Sequence, residues 1–191
     1  MRQRCEKQTV VIFFGGYIGS GKTSLAKAIS ERLGILYYEV DLIKKIVVEE
    51  DPSLEHNVKQ NIPFPDEARI RMFNRVVDDF ARLSKTHACL IADETLHKKN
   101  TRQILFDGAT RYFGGYAVVW VQADEETIKE RLGAKERADH VLGDPYGMYL
   151  SMKKVFEPFD KADIVFENAG SLDEAADRLA ALIREKIECL R

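Results

Sequence analysis

An apolar run, Thr9–Phe14 (Thr-Val-Val-Ile-Phe-Phe), leads through Gly15 into Gly16-Tyr-Ile-Gly-Ser-Gly-Lys22-Thr23, and a helical pattern over Lys22–Leu33 follows at once. A continuous run of β-branched and aromatic residues suits a strand covered on both faces. The eight residues after it match GxxxxGK[ST] at every fixed position, in the strand–turn–helix context which that spacing requires. Glycines at these positions let successive backbone N–H groups turn inward and form an anion nest at the positive end of a helix. A turn that merely joins a strand to a helix has no need of glycine at 15, 16, 19 and 21 followed by Lys-Thr. The dinucleotide fingerprint is the nearer rival, because Gly19-Ser-Gly21 reads as GxG; its third glycine would fall at Ser24. The expected contacts to a nucleoside triphosphate are therefore Gly16, Gly19, Ser20, Gly21, Lys22, Thr23 and Ser24. Lys22 supplies charge to the β- and γ-phosphates, and the Thr23 hydroxyl is the expected Mg²⁺ ligand.

Apolar runs alternate with amphipathic segments along the rest of the chain. Strands are expected at Ile35–Val40, Ala88–Ala92, Tyr116–Val121 and Asp163–Phe166. Helices are expected at Leu42–Glu49, Asp66–Lys85, Asn100–Tyr112 and Glu125–Leu132, then near Tyr146–Phe156 and over Leu172–Leu190. This order predicts an α/β fold of three layers, a five-stranded and mainly parallel sheet with helices on both faces. Ligands of such a sheet bind at the carboxyl ends of its strands, where the loops after Phe14, Val40 and Ala92 converge. With 191 residues and no repeat or low-complexity linker, the whole chain 1–191 is expected to form a single domain. Two polar stretches interrupt the alternation, Asp51–Pro65 with three prolines and Gly133–Pro145 with many charges, and both have the placement of mobile flaps.

Composition excludes several classes. A net charge of −2 argues against a broad basic face for nucleic acid. The cysteines at 5, 89 and 189 are an odd number, far apart and without CxxC spacing, so neither a disulfide framework nor a zinc site is expected. The apolar run near the amino terminus is too short to span a bilayer and lacks an Ala-x-Ala cleavage site. A cytoplasmic protein without a membrane partner is the expectation.

Transfer of a phosphoryl group to an alcohol needs a group that accepts the hydroxyl proton. Asp41, at the expected end of the second strand, is the candidate; its competing role is to cap the helix that follows. Asp93 ends the run Ala-Cys-Leu-Ile-Ala and is the candidate carboxylate for Mg²⁺. Glu94 beside it leaves another reading open, because an Asp-Glu pair also serves hydrolytic ATPases, with Asp on the metal and Glu on the water. Arg131 and Arg137, with Lys135 between them, lie where a lid over the phosphates would start and are the candidates for stabilising the transferring group. Arg102, Lys98 and Lys99 face the same mouth, as an anion site or as loop decoration, and Tyr37, Tyr38 and His97 are ambiguous.

Together these segments resemble the small kinases of the zeta-toxin, gluconate-kinase and polynucleotide-kinase type, with their AAA-like P-loop domain. The resemblance runs through Gly16–Thr23, Asp41-Leu-Ile-Lys-Lys, Asp93-Glu-Thr-Leu with Arg102, Glu126 to Arg131-Leu, Glu136-Arg137, and Phe156-Glu-Pro158 before the last strand. It implies ATP and Mg²⁺ as co-substrate and metal, Asp41 as the acceptor-side base, Thr23 and Asp93 on the metal side, and Arg131 and Arg137 in a lid. It implies a small-molecule hydroxyl as acceptor without naming it. Glu94 replaces a small residue of the family pattern, and Lys44–Lys45 match it only loosely. A nucleotide-dependent switch or ATPase and a 5′-kinase on nucleic acid are the alternatives.

Overall fold

The structure, a computed structural model, describes residues 9–60, 62–136, 144–159 and 161–187, with backbone alone for 134–136. Its elements are β1 (Val10–Gly15), α1 (Lys22–Leu33), β2 (Leu36–Tyr38), α2 (Val40–Glu50), α3 (Glu55–Lys59), α4 (Asp66–Leu83) and β3 (Cys89–Asp93). They continue with α5 (Lys99–Phe113), β4 (Tyr116–Gln122), α6 (Glu125–Glu136), α7 (Pro145–Val155), β5 (Ile164–Glu167) and α8 (Leu172–Lys186). Among the described residues the strands form one sheet in the order β2-β3-β1-β4-β5, and every pairing is parallel. The expected "mainly parallel" sheet is thus parallel throughout.

Strand alternation divides the core. Ile12 and Phe14 of β1 point into a cluster with Leu25 and Ile29 of α1 and Leu179 and Ile183 of α8. Val11 and Phe13 point the other way, onto Phe73 and Phe80 of α4 and Leu105 and Phe113 of α5. Both faces of the central strand are therefore dry, as its unbroken apolar sequence requires. A third, smaller cluster packs Ile128 and Leu132 of α6 and Tyr149 of α7 against Tyr17 and Ile18 of the glycine turn.

One expectation is corrected. The second strand stops at Tyr38, and Val40 already belongs to α2. Val40 is 1 % exposed and packs with the α4 and α5 core, so it is buried as a helix residue rather than as a strand end. The polar stretch Asp51–Pro65 holds a 3₁₀ turn at Pro52–Leu54 and the short helix α3, anchored by buried Leu54 and by ion pairs from Arg75 to Glu50 and Arg71 to Asp51. Residues 137–143, with Arg137 and most of the expected lid, lie outside the described residues, and the side chain of Lys135 does too. No helix among the described residues is long and apolar enough to cross a membrane.

Candidate active site

The glycine turn runs from the end of β1 into the amino terminus of α1. Gly21 is the residue before that helix, in the left-handed region at φ 87°, and no side chain caps the first turn. Its N–H groups are thus left open for an anion. A Cβ on Gly21 would stand 2.2 Å from Asn168 Nδ2, and one on Gly16 would stand 2.5 Å from the Val121 carbonyl oxygen. Both glycines are required by close approach as well as by φ.

Asn168 follows β5 directly and is 7 % exposed. Its Nδ2 donates to the Ser20 carbonyl at 2.7 Å, and Arg131 Nη1 donates to the same oxygen at 3.1 Å. Arg131 Nη2 also donates to the Asn168 carbonyl at 3.2 Å. Arg131 is therefore fastened to the back of the glycine turn, linking α6 to the loop after β5.

At the front of the turn Lys22 carries an ammonium whose pKa is lowered: burial outweighs the pull of Asp93 and Glu94, and Lys44 adds to the depression. An ammonium held in that way is stabilised by any anion that binds the nest. Thr23 Oγ1 donates to Asp93 Oδ2 at 2.5 Å, and the Tyr37 hydroxyl donates to Asp93 Oδ1. Asp93 is thereby oriented by hydroxyls from α1 and β2. One hydroxyl and one carboxylate fit Mg²⁺, which keeps water and phosphate oxygens for its remaining positions. Among the described residues no three Asp, Glu, His or Cys side chains gather as a metal cluster.

Asp41 does not end the second strand. It lies in the first turn of α2, where Glu39 takes the cap position, and its side chain is 61 % exposed. Lys44 Nζ lies 2.6 Å from Asp41 Oδ1 and 2.9 Å from Glu94 Oε2, so it bridges the two carboxylates. Burial disfavours the Lys44 ammonium, but Glu94 and Asp41 more than compensate and raise its pKa.

Glu94 is buried. Its Oε1 accepts from the Thr95 N–H at 2.8 Å and the Thr95 hydroxyl at 2.7 Å, and lies 3.7 Å from Arg69 Nη2. Burial alone would raise its pKa, yet Lys44 and Arg69 hold it well below the usual carboxylate range. Arg69 Nη2 donates to His97 Nδ1 at 2.8 Å. His97 is fully buried and its pKa falls to about 3, chiefly from burial and then from Arg69.

The loop carrying these residues is tightly held. Leu96 has φ 54°, a left-handed conformation costly for a side chain of its size. Arg102 secures it: Nη1 donates to the carbonyls of Leu96 (3.1 Å) and Glu157 (2.5 Å), Nη2 to that of Pro158 (2.7 Å), and the guanidinium lies 4.3 Å from the Phe159 ring centre. The Glu157 N–H donates to the His97 carbonyl at 2.7 Å, and its carboxylate accepts from the Lys99 N–H at 2.6 Å. Arg102 is thus a clamp between two loops, and Lys98 pairs with Asp66 at 2.5 Å.

Sequence reading missed Arg69 and Asn168, and left Tyr37 ambiguous. Arg69 could have been found: Ala68, Met72, Phe73 and Val76 around it form a buried helical stripe, and a guanidinium beside such a stripe demands a partner. Asn168 carries no comparable signal, and the ambiguity of Tyr37 is resolved only by a residue distant in sequence, Asp93.

Residues 11–158 match a family model described as an AAA domain, and the chain belongs to that family. Its fold is that of the P-loop kinases. An unliganded sugar kinase from Janibacter sp. HTCC2649 superposes with a TM-score of 0.72 at 18 % identity, covering 96 % of this chain and 98 % of that one. A gluconokinase from Sinorhizobium meliloti 1021 gives 0.70 at 22 %, with 94 % of each chain covered. The APS kinase of Mycobacterium tuberculosis, in complex with AMPPNP and APS, gives 0.60 at 19 %, covering 93 % and 98 %. No curated protein matches the sequence.

Proposed function

We propose that the protein is a small-molecule kinase that transfers the γ-phosphate of ATP to an acceptor hydroxyl. The observation that carries this reading is the convergence of two groups on Lys22: Thr23 with Asp93 at the glycine turn, and the Asp41–Lys44–Glu94 bridge. All three charged groups of that bridge, with Asp93, act on the Lys22 ammonium. A phosphate bound at the amino terminus of α1 would then lie between the metal side and the acceptor side.

In this mechanism the α1 amino terminus and Lys22 bind the β- and γ-phosphates. Thr23 and Asp93 are the residues that would hold Mg²⁺, which would supply charge neutralisation on the transferring group. Asp41 accepts the proton of the acceptor hydroxyl as its oxygen attacks the γ-phosphorus, the β–γ bond breaks and ADP leaves. Arg131 holds the glycine turn in shape through the Ser20 carbonyl, and Arg137 is the arginine assigned to close the phosphate side and exclude water.

Glu94 bears on the ATPase alternative. A carboxylate paired with Lys44 and Arg69, and held below its ordinary pKa, is a poor acceptor for a proton from water. Of Lys44, Lys45, Lys98 and Lys99, the lysines that a nucleic-acid groove would use, Lys44 and Lys98 are paired with carboxylates. Similarity to a sugar kinase, a gluconokinase and an APS kinase also supports a small acceptor.

The test is ADP formation from Mg-ATP across a panel of polyols, hydroxy acids and nucleosides. Acceptor-stimulated turnover is expected. Asp41→Asn should lower kcat by about 10²–10⁴-fold with unchanged affinity for a fluorescent ATP analogue. ATP hydrolysis indifferent to every acceptor and dependent on Glu94 would sink the kinase reading.

A further inference from the structure

The two hydroxyls that meet Asp93 take different oxygens: Thr23 donates to Oδ2 at 2.5 Å, and Tyr37 donates to Oδ1. Strand register brings Tyr37 there. It pairs with Ile91 across β2 and β3, and Asp93 lies two residues further along β3, on the same face of the sheet. A long side chain reaches such a diagonal neighbour. The ring itself is held in place: it packs against the core beneath α1 and α8, and Lys27 Nζ lies 5.4 Å from its centre. An ionised carboxylate only accepts, so the phenol is the donor of this pair.

The two hydroxyls are not equivalent. That of Thr23 belongs to the glycine-turn motif and is the expected metal ligand. Tyr37 comes from β2, the outermost strand beyond β3, and lies outside that motif. Its hydrogen bond engages the second oxygen of a carboxylate that is 8 % exposed. Metal ions differ in what they ask of such a group. Mg²⁺ demands near-octahedral geometry at about 2.0–2.1 Å and keeps several of its waters. Ca²⁺ takes about six to eight oxygens at about 2.3–2.6 Å and readily binds both oxygens of one carboxylate.

We infer that Tyr37 is a positioning residue that withholds Asp93 Oδ1 from the bound metal and so makes the phosphate site selective for Mg²⁺ over Ca²⁺. This rests on Thr23 and Asp93 as the metal side of the proposed kinase site, and it is indifferent to the acceptor. Ca²⁺ gains the second oxygen only by breaking the Tyr37 hydrogen bond, whereas Mg²⁺ has no use for that oxygen. Tyr37 acts through Asp93 and need not touch the metal.

The experiment measures the affinity of the full chain for the fluorescent analogue mant-AMPPNP with saturating MgCl₂, with saturating CaCl₂ and with EDTA. The wild-type chain should bind more tightly with Mg²⁺ than with Ca²⁺. Tyr37→Phe keeps the ring and removes the donor. It should tighten binding in Ca²⁺ by about tenfold or more, the worth of one hydrogen bond to a charged group. Affinity in Mg²⁺ and in EDTA should stay nearly unchanged, the latter showing that the variant folds. In an Asp93→Asn background the same substitution should alter neither metal's value, because its effect passes through the carboxylate. A Ca²⁺-to-Mg²⁺ ratio unmoved by Tyr37→Phe overturns the inference. So does a weakening shared by both metals, which would make Tyr37 a mere prop for Asp93, or a gain in Ca²⁺ that persists with Asp93→Asn. None of these three touches the kinase reading, which stands on acceptor-stimulated release of ADP. A shifted selectivity in a chain that no acceptor stimulates leaves the role of Tyr37 standing and sinks the kinase reading instead.

Discussion

Burying His97 in its neutral form makes the fold sensitive to mild acid, by an amount that can be worked out. The folded pKa is about 3 and that of a free histidine about 6.5. A group whose pKa is lowered by folding contributes fully above its unfolded pKa, and the contribution is lost as pH falls below it. Between pH 7 and pH 5 the unfolded ring takes up its proton while the folded ring does not, and linkage sets the loss at about 2 kcal/mol. That figure hardly depends on the folded value, because at pH 5 a folded pKa of 3 or of 4 leaves the ring essentially unprotonated. Glu94 does not confuse the window: its lowered pKa contributes stability that disappears only as pH falls below its ordinary 4.5. His97→Asn keeps an acceptor for Arg69 Nη2 and removes the titration. Urea unfolding followed by circular dichroism at pH 7 and pH 5 gives both stabilities. The wild-type chain should lose about 2 kcal/mol more than the variant between the two pH values. Equal losses would mean that His97 is protonated in the folded protein, and the argument from burial would fail.

Thr23→Ala and Asp93→Asn should each abolish the Mg²⁺ dependence of nucleotide affinity while metal-free binding persists, measured with a fluorescent ATP analogue with and without Mg²⁺; an intact dependence would remove the pair from the metal side. Gly21→Ala forces a Cβ to within 2.2 Å of Asn168 and into a left-handed backbone, so it should cost about 1–2 kcal/mol of stability from the backbone alone and weaken ATP-analogue binding, both by titration. Arg102→Ala frees three carbonyls and the loop around Leu96; a loss of about 3 kcal/mol or more in urea unfolding is expected, and a loss under 1 kcal/mol would show that the loop holds itself.

The parallel sheet and the glycine turn were legible because each rests on local chemistry: unbroken apolar runs, and glycines at fixed spacing before a helix. The positions of Asp41 and of Val40 were not. Ile-Leu-Tyr-Tyr-Glu-Val reads as a strand throughout, yet β2 pairs with β3 only at Leu36, Tyr37 and Tyr38. Beyond Tyr38 the packing of Val40 beneath α4 and α5 prevails over its β propensity. The buried charge network was illegible for a related reason. Lys44, Arg69, Glu94 and His97 come from α2, α4 and one loop, and no short motif contains more than two of them.

Asp93 and Glu94 illustrate how environment assigns chemistry that composition leaves open. They are adjacent acids at a strand end, and as a pair they fit a metal-and-water ATPase as well as a kinase. Successive residues of an extended chain point to opposite faces. Asp93 turns toward α1 and β2 and meets two hydroxyls, Thr23 and Tyr37, which orient it without opposing its charge. Glu94 turns toward α2 and α4 and meets two cations, Lys44 and Arg69. The first environment suits a carboxylate that shares a metal with phosphate. The second consumes the basicity of its carboxylate in holding an ammonium and a guanidinium in place, which a water-activating glutamate cannot do. The residue that set the sequence at odds with a kinase is, in the folded chain, the anion that gathers Lys44 and Arg69.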